Sequence, residues 1–424
     1  MARWNTIARG AAFAGAAALA LAACSTPDDD PSGSAAPGGD GDPLKIGTFL
    51  PVTGSLAFLG PPEIAGVRLA VQDINEAGGL FGADVELTET DSSDADNPTI
   101  GAQSIQSLIT DGVSAIIGAA SSSVTLNVID DVDAAGIVMV SPANTSTSLS
   151  GYSDFYFRTA PPDTAQGAAV ADLMMEDGAT NIAILVQNDD YGVSFRNVVQ
   201  ERVEGAGGTI TYGKSGEEID PKATNFEADV QGALATNPDA ILMIAFNQTA
   251  QIIPALVGAG YDKTKVYMTD GNTADWSETF EPGTLEGGKG TIPGAAASED
   301  LQASLNALWE EQEGEALTDF SYASESYDAV ILVALAALKG GSSDPAVIAE
   351  NMGAVSGSTG GAECSGWVEC SEAVAAGEDI AYAALSGAGA FNEDNDPTTA
   401  IIGVYEYDGE NRPHRTSEVN WSAS

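Results

Sequence analysis

Short runs of apolar, β-prone residues alternate with stretches of helical periodicity along most of the chain. Each run is brief, is bounded by turn residues and is rich in Val, Ile or aromatic side chains, which is typical of buried strands. The predicted strands are 44–50, 84–90, 115–118, 137–141, 155–158, 182–187, 209–212, 240–246 and 266–269.

Helices are predicted between these strands. In 63–77, apolar residues recur at a spacing of three or four positions and therefore fall on one face. Two prolines precede this stretch and two glycines follow it, as is usual at the two ends of a helix. The other predicted helices are 98–111, 122–135, 163–177, 192–206, 224–236, 248–259, 299–313 and 323–339.

Regular alternation of strands and helices predicts an α/β fold, with parallel sheets that carry helices on both faces. The number of strands is large for one such sheet. We therefore predict two doubly wound parallel-sheet lobes, and a length of 424 residues agrees with more than one domain.

The charge balance excludes several classes of function. The chain has 62 Asp and Glu against 15 Lys and Arg, so nucleic acid is not an expected partner, because phosphate binding needs clustered cations. The single histidine, His414, cannot form a multi-histidine zinc site, and a Ser-His catalytic pair would have to involve the C-terminal tail. We expect no metal, no cofactor and no enzyme activity.

Three local motifs resemble known sites but are better explained otherwise. Residues 208–215 match the phosphate-binding loop formally, yet the four residues between the glycines favour a strand. The acidic stretches 91–97 and 392–396 lack the glycine and terminal glutamate of a calcium-binding EF-hand. We interpret both acidic stretches as solvated turns.

The N-terminus has the features of an export signal. Residues 1–9 carry two arginines and no acid, and a short run of small apolar residues leads to Cys24. Residues 21–24, Leu-Ala-Ala-Cys, resemble the bacterial lipobox, in which the cysteine is lipidated. We predict a signal peptide at 1–23, a lipidated Cys24 and a disordered linker over 24–43, so that the protein is anchored on the outer face of the cell membrane. The alternative is an ordinary signal peptide with an incidental cysteine.

The two remaining cysteines, Cys364 and Cys370, are separated by five residues. Because the protein is predicted to be exported, a disulfide is the natural interpretation. Free thiols are the alternative, and a metal site is disfavoured because no second cysteine pair and no histidine lies nearby.

Ligands of open parallel sheets bind beyond the carboxyl ends of the strands. The segments 118–123 and 141–145 follow two predicted strands and are rich in Ser, Thr and backbone amides, which bind anions at helix N-termini. Segment 269–272 presents a lone aspartate, Asp270. A carboxylate-binding loop facing a single acid is expected in a receptor for a free α-amino acid, whereas each serine cluster alone could be a helix cap.

Several motifs, in this order, resemble the periplasmic branched-chain amino acid binding proteins of ABC transporters. They are 46–54, 66–75, 115–123, 141–145, 190–192, 325–329 and 396–398. The resemblance implies the type I periplasmic binding protein fold, in which two α/β lobes joined by three crossovers close on the ligand. The expected lobes are 44–160 with 293–398, and 161–292 with 399–424.

The same resemblance implies the site residues. Hydroxyls of Ser122 and Thr145 and neighbouring backbone amides would hold the ligand carboxylate, while the Ala143 carbonyl and Asp270 would hold its ammonium group. Tyr191 would cover the ligand, and apolar residues from both lobes would line the side-chain pocket. The predicted binding residues are Ser121, Ser122, Ala143, Asn144, Thr145, Tyr191, Phe246, Asp270, Phe58 and Leu59.

The sequence thus predicts a monomeric, lipid-anchored receptor that binds a small, branched-chain amino acid and delivers it to a membrane permease. Three alternatives remain: the same fold binding an amide, urea or an aromatic acid, a purely sensory subunit, and an exported hydrolase. Paired acid and base residues, which a hydrolase needs, are not evident in the sequence.

Overall fold

A computed structural model describes residues 42–423 of the chain. The predicted signal peptide at 1–23, the lipidated Cys24 and residues 24–41 of the predicted linker lie outside the described residues.

The strands and helices alternate as the apolar pattern predicts. The strands are β1 Lys45–Leu50, β2 Glu86–Asp91, β3 Ala115–Gly118, β4 Val138–Ser141, β5 Tyr156–Arg158, β6 Asn181–Val186, β7 Thr209–Tyr212, β8 Ala240–Ile244, β9 Val266–Met268, β10 Lys289–Pro293, β11 Ala362–Cys364, β12 Ile380–Tyr382, β13 Thr399–Tyr407 and β14 Pro413–Ser422. The helices are α1 Gly60–Glu76, α2 Pro98–Asp111, α3 Ser122–Ala135, α4 Asp163–Glu176, α5 Asp190–Gly205, α6 Glu227–Ala235, α7 Thr249–Gly258, α8 Glu299–Glu313, α9 Ala323–Gly340, α10 Pro345–Ser356 and α11 Gly366–Ala375.

Two main sheets carry the fold. The first has five strands in the order β2-β1-β3-β4-β5, all of them parallel. The second has seven strands in the order β14-β13-β10-β9-β8-β6-β7. The order of the chain through both sheets is that of two doubly wound lobes, and the predicted fold class is confirmed.

One edge of the second sheet departs from the parallel pattern. Strand β13 pairs antiparallel with β10, and β14 pairs antiparallel with β13. The sequence analysis missed β10, β13 and β14. Strand β14 is exposed along most of its length and is largely polar, so it has no apolar alternation to reveal it.

The core of the first lobe is built around α9. Residues 323–337 of this helix are all buried. Helix α1 packs directly against it, and Gly66 makes the close approach possible, because a Cβ atom there would lie 2.2 Å from the Ala323 carbonyl oxygen. Among residues 42–423 no single helix is long and apolar enough to cross a membrane, although α9 and α10, bent by 107°, pass that test as a pair.

A small two-stranded sheet of β11 and β12 and helices α10 and α11 extend the first lobe, and the sequence analysis missed all four elements. Cys364 at the end of β11 and Cys370 in α11 form a disulfide, with Cα atoms 5.3 Å apart. The predicted disulfide is confirmed.

The chain leaves the first sheet after β5, returns after β10 to helices α8 and α9, which pack beside that sheet, and re-enters the second sheet at β13. A buried ion pair joins the first and last of these crossings: Arg158 Nε lies 2.6 Å from Asp396 Oδ1. The same guanidinium donates from Nη1 to the Ser146 carbonyl oxygen at 2.8 Å and from Nη2 to Ser150 Oγ at 2.7 Å. Arg158 therefore holds both the crossing and the loop after β4 in place.

Replacing Arg158 with alanine is expected to lower the free energy of unfolding by about 3–5 kcal/mol, because it leaves the Asp396 carboxylate buried without its partner. The matched control is Arg202→Ala, which removes an exposed ion pair with Asp172. We expect that control to cost less than about 1 kcal/mol. Urea unfolding of both variants measures the difference, and equal losses would contradict this role for Arg158.

Candidate functional site

The loops after β3 and β4 form one cross-braced unit. Ser141 Oγ donates to the Ala119 carbonyl oxygen at 2.6 Å and accepts from the Asn144 amide at 2.9 Å. Asn144 Nδ2 donates to the carbonyl oxygens of Ala119 and Ala120, at 3.0 and 2.8 Å. These bonds fix the two loops relative to each other before any ligand arrives.

Strand β3 ends at a glycine, and helix α3 is capped by a serine. Gly118 has a φ of 132°, and a Cβ atom there would lie 1.9 Å from the Phe49 carbonyl oxygen, so only glycine fits. Ser121 caps α3 by accepting a hydrogen bond from the Val124 amide. Ser122 Oγ accepts from the Ser146 amide at 3.2 Å. The first turn of α3 therefore directs its free amides and positive dipole end at the loop.

The second lobe contributes a buried acid. Asp270 follows β9 and is only 7% exposed. Its Oδ1 accepts from Tyr191 Oη and its Oδ2 from Tyr322 Oη, both at 2.7 Å. Burial raises the pKa of Asp270, and the two tyrosine hydrogen bonds oppose that rise. In the described part of the chain no cationic side chain forms an ion pair with this carboxylate.

These groups meet at one cavity, which we call the cleft cavity. In this closed arrangement its volume is about 10 Å³, close to the space that one water molecule needs. It lies between loops of the two sheets. Its lining residues are Leu56, Leu59, Ala120, Ser121, Ser122, Ala143, Tyr191, Phe246, Asp270, Gly271 and Tyr322.

Seven of the ten predicted binding residues therefore lie around one cavity: Leu59, Ser121, Ser122, Ala143, Tyr191, Phe246 and Asp270. The other three lie outside its lining. Asn144 is fully buried and braces the loops, Phe58 packs against the apolar cluster around the cavity, and Thr145 is buried with a hydroxyl that has no hydrogen-bond partner among the described residues.

Tyr322 is the main residue that sequence reasoning missed. It lies between α8 and α9, has a left-handed φ of 61° and is 2% exposed. Non-glycine residues seldom adopt this conformation, and it places the hydroxyl on Asp270 of the other lobe. No local sequence motif signals that contact. Leu56, Ala120 and Gly271 were also missed, and each lies within two or three residues of a predicted position.

Further hydrogen bonds join the lobes beside the cavity. Ser123 Oγ donates to Asp190 Oδ2 at 2.8 Å and accepts from the Asp190 amide at 3.0 Å. The Thr147 amide donates to Ser194 Oγ at 2.9 Å. Together with the bond from Tyr322 to Asp270, these contacts hold the cleft in a closed arrangement.

A second buried acid lies near the site. Asp163 is the first residue of α4, and both of its carboxylate oxygens lack a hydrogen-bond partner by distance and angle among the described residues. Burial is the largest influence and raises the pKa of Asp163 to about 7, while Thr145 and Ser194 act in the opposite direction. Asp270 adds to the rise, so the two acids are electrostatically coupled.

The described residues contain no group of three or more His, Cys, Asp or Glu side chains placed to hold a metal ion. What the site offers is hydrogen-bond donors from one lobe and a carboxylate from the other, around an apolar wall that includes the stacked rings of Tyr191 and Phe246, 5.6 Å apart. The arrangement is suited to binding.

The sequence from 43 to 402 matches the model of a family described as periplasmic binding protein, and the chain belongs to that family. Its members are exported substrate-binding proteins. The chain is 27% identical to the chemotactic signal transduction system substrate-binding protein BasB of Halobacterium salinarum, over 82% of this chain and 83% of BasB.

Two further proteins are similar. The chain is 26% identical to the leucine-, isoleucine-, valine-, threonine- and alanine-binding protein of Pseudomonas aeruginosa, over 73% of this chain and 82% of that protein. The structure superposes with a TM-score of 0.71 on the branched-chain amino acid transporter substrate-binding protein LivJ of Streptococcus pneumoniae in complex with isoleucine, at 22% identity and covering 90% of this chain and 100% of LivJ. This structural likeness shows the shared fold.

The raised pKa of Asp163 predicts a pH dependence of stability. The folded protein keeps a proton up to about pH 7 that the unfolded chain loses above about 3.8, so stability from this group falls as pH rises between those values. Asp163→Asn is therefore expected to flatten part of the fall and to stabilise the protein above pH 7. Asp189, whose pKa burial also raises to about 7, contributes part of the fall that remains.

Urea unfolding at several pH values checks this, with Asp172→Asn, a more exposed acid on the same helix, as the control. If Asp163→Asn left the slope against pH unchanged, Asp163 would have to be ionised in the folded protein.

Proposed function

We propose that the protein is an extracytoplasmic solute-binding protein of an ABC transporter that binds a small aliphatic amino acid, preferably a branched-chain one, in the cleft cavity. One observation carries the proposal: a buried carboxylate without a cationic partner lines the same cavity as a helix N-terminus rich in serine. The two halves of the cavity come from different lobes. A zwitterion satisfies both.

The ligand carboxylate would meet the start of α3 and the loop after β4. Ser121 and Ser122 line the cavity there, and the hydroxyl of Thr145 is buried in the loop after β4. Amides at a helix N-terminus and hydroxyl donors favour a carboxylate. Loops that are already braced by Asn144 lose little conformational freedom when they bind it.

The ligand ammonium group would meet Asp270. A carboxylate offers about four acceptor positions, so two tyrosine donors leave room for an ammonium group. Ala143 lines the same cavity and offers its carbonyl oxygen. Burial makes the ionised Asp270 costly until a cation arrives, which favours ligands that carry one.

The side chain of the ligand would lie against Leu56, Leu59 and Phe246. These are apolar groups from both lobes, and their chemistry suits an aliphatic side chain. The lobes must move apart to admit it, because the closed cavity has room for only about one water molecule. The binding specificities named for the Pseudomonas aeruginosa relative agree with this chemistry.

The lobes that we propose to close on the ligand are 44–160 with 293–398, and 161–292 with 399–424. Lipid anchoring through Cys24, delivery to a membrane permease and a monomeric state stay predictions. A sensory role is a second candidate, because the relative BasB is a chemotaxis substrate-binding protein.

A thermal-shift screen over amino acids and related solutes is expected to show the largest increases in melting temperature with leucine, isoleucine or valine. Ligands that bind only the folded state stabilise it by about 2.7 kcal/mol at a concentration 100 times Kd. An increase confined to urea, amides or 4-hydroxybenzoate would replace the branched-chain assignment with one of those ligands.

Asp270→Asn is expected to weaken leucine binding by about 30-fold or more, because it removes one partner of a buried charge pair, worth about 2–5 kcal/mol. Isothermal titration calorimetry measures the change, with Glu227→Gln, an exposed acid on α6, as the matched control. Unchanged affinity in Asp270→Asn would reject the ammonium assignment.

A further inference from the structure

A second, larger cavity lies beside the crossing that follows β10. Its volume is about 390 Å³, and we call it the hinge cavity. Residues 292–297 and 412–415 form one side, and residues 318–325 form the other. Tyr322 lines both the hinge cavity and the cleft cavity, so the two cavities adjoin at this residue, and we call segment 318–325 the wall of the hinge cavity.

Three acids lie at or near this wall: Glu325 and Glu63 have carboxylate oxygens without partners among the described residues, while Asp319 accepts from the Ser321 amide and hydroxyl at 2.9 and 2.8 Å. Glu325 lines the hinge cavity, is 2% exposed, and its Oε1 has no hydrogen-bond partner among the described residues. Glu63 of α1 is fully buried, and both of its carboxylate oxygens likewise lack partners in the described part of the chain. Asp319 also lines the cavity, and it interacts electrostatically with Glu63. Such buried polar groups are rare in folded proteins and call for an explanation.

The cations of the opposite wall are already paired. Arg412 bonds Glu410 at 2.6 Å, His414 bonds Asp408 at 2.8 Å, and Arg415 bonds Glu418 at 3.1 Å. Arg415 attracts Glu325 electrostatically but forms no ion pair with it. Among residues 42–423, the carboxyl groups of Glu63 and Glu325 therefore form no ion pair, and Arg415 attracts Glu325 only from a distance.

A bare metal ion is not the fitting occupant, because the described residues contain no set of three acidic, His or Cys side chains close enough to ligate one. The hinge cavity is also far larger than an ion needs. Phe320, Tyr322 and Tyr405 line it beside the acids. Aromatic faces next to carboxylates are the surroundings that bind organic ammonium groups.

We propose that the hinge cavity is a second ligand site, which takes a small organic amine whose ammonium group is bound by Glu325 with support from Glu63 and Asp319. This site is distinct from the cleft cavity and from the amino acid that we assign to it.

Protonation gives the site a measurable signature. Burial raises the pKa of both Glu63 and Glu325 well above the ordinary value, Asp319 and Glu325 add to the rise at Glu63, and Asp328 adds to it at Glu325. Arg415 is the charged neighbour that lowers the pKa of Glu325. An arriving ammonium group favours the ionised carboxylates, so binding is expected to release protons.

The test is calorimetric titration with 1,4-diaminobutane, and 1,4-butanediol serves as the uncharged control of the same shape. Wild type and Asp270→Asn are expected to bind the diamine, and neither binds the diol. Glu325→Gln is expected to bind the diamine at least about 10-fold more weakly, a loss of about 1.4 kcal/mol. The binding heat of the wild type should change with the ionisation enthalpy of the buffer, and that change should shrink in Glu325→Gln.

A cooperative urea-unfolding transition like that of the wild type shows that Glu325→Gln is folded. If it is not folded, Asp319→Asn, at a half-buried position, carries the test and is expected to weaken diamine binding several-fold. Absence of saturable diamine binding to the wild type would overturn the proposal. So would binding that Asp270→Asn abolishes and Glu325→Gln preserves, since the diamine would then occupy the cleft cavity. Failure of leucine to bind bears on the proposed function only.

Discussion

The structure depends on one constraint: Asp270 is buried between two lobes, and no cationic side chain among residues 42–423 forms an ion pair with it. Its carboxylate accepts hydrogen bonds from Tyr191 of its own lobe and from Tyr322 of the other, both at 2.7 Å. These bonds make the closed arrangement possible but do not balance the charge. A ligand that brings a positive charge therefore gains most in the closed state, and differential contact of this kind is what shifts a protein between open and closed conformations.

The opposite half of the cavity is rigid for a different reason. Asn144 and Ser141 link the loop after β3 to the loop after β4 by hydrogen bonds. Arg158 donates a hydrogen bond to the loop after β4 and forms an ion pair with Asp396 at the last crossing. The positions of the residues that would receive the carboxylate therefore depend on the same buried ion pair that joins two of the crossings between the lobes. Preorganisation of this kind favours binding because little conformational entropy remains to be lost.

The sequence predicts the parallel strands and most of their connecting helices well, because apolar periodicity and capping residues mark them. Helices α2, α3 and α8 begin and end at the residues that periodicity and capping predict. Strand β14 was missed because an exposed polar edge strand has no apolar pattern, and its place is decided by pairing with β13. Short strands such as β11 and β12 are set by tertiary contacts in the same way.

The residues of the candidate site were likewise predicted only in part. Serines at strand ends and the lone Asp270 are visible in the sequence, and the structure brings them to one cavity. Tyr322 is not visible, because it reaches Asp270 across 52 positions of sequence from a left-handed backbone conformation. Asn144, which was predicted as a binding residue, braces the two loops through its side-chain amide, and the sequence does not indicate that contact.

The most direct test of the account compares leucine with two analogues that each lack one charged group: 4-methylpentanoate, without the ammonium, and 3-methylbutylamine, without the carboxylate. Calorimetry on the wild-type protein should find both analogues weaker than leucine by about 100-fold or more, since each leaves buried polar groups unpaired. If either analogue bound as tightly as leucine, the two lobes would not be recognising opposite ends of a zwitterion.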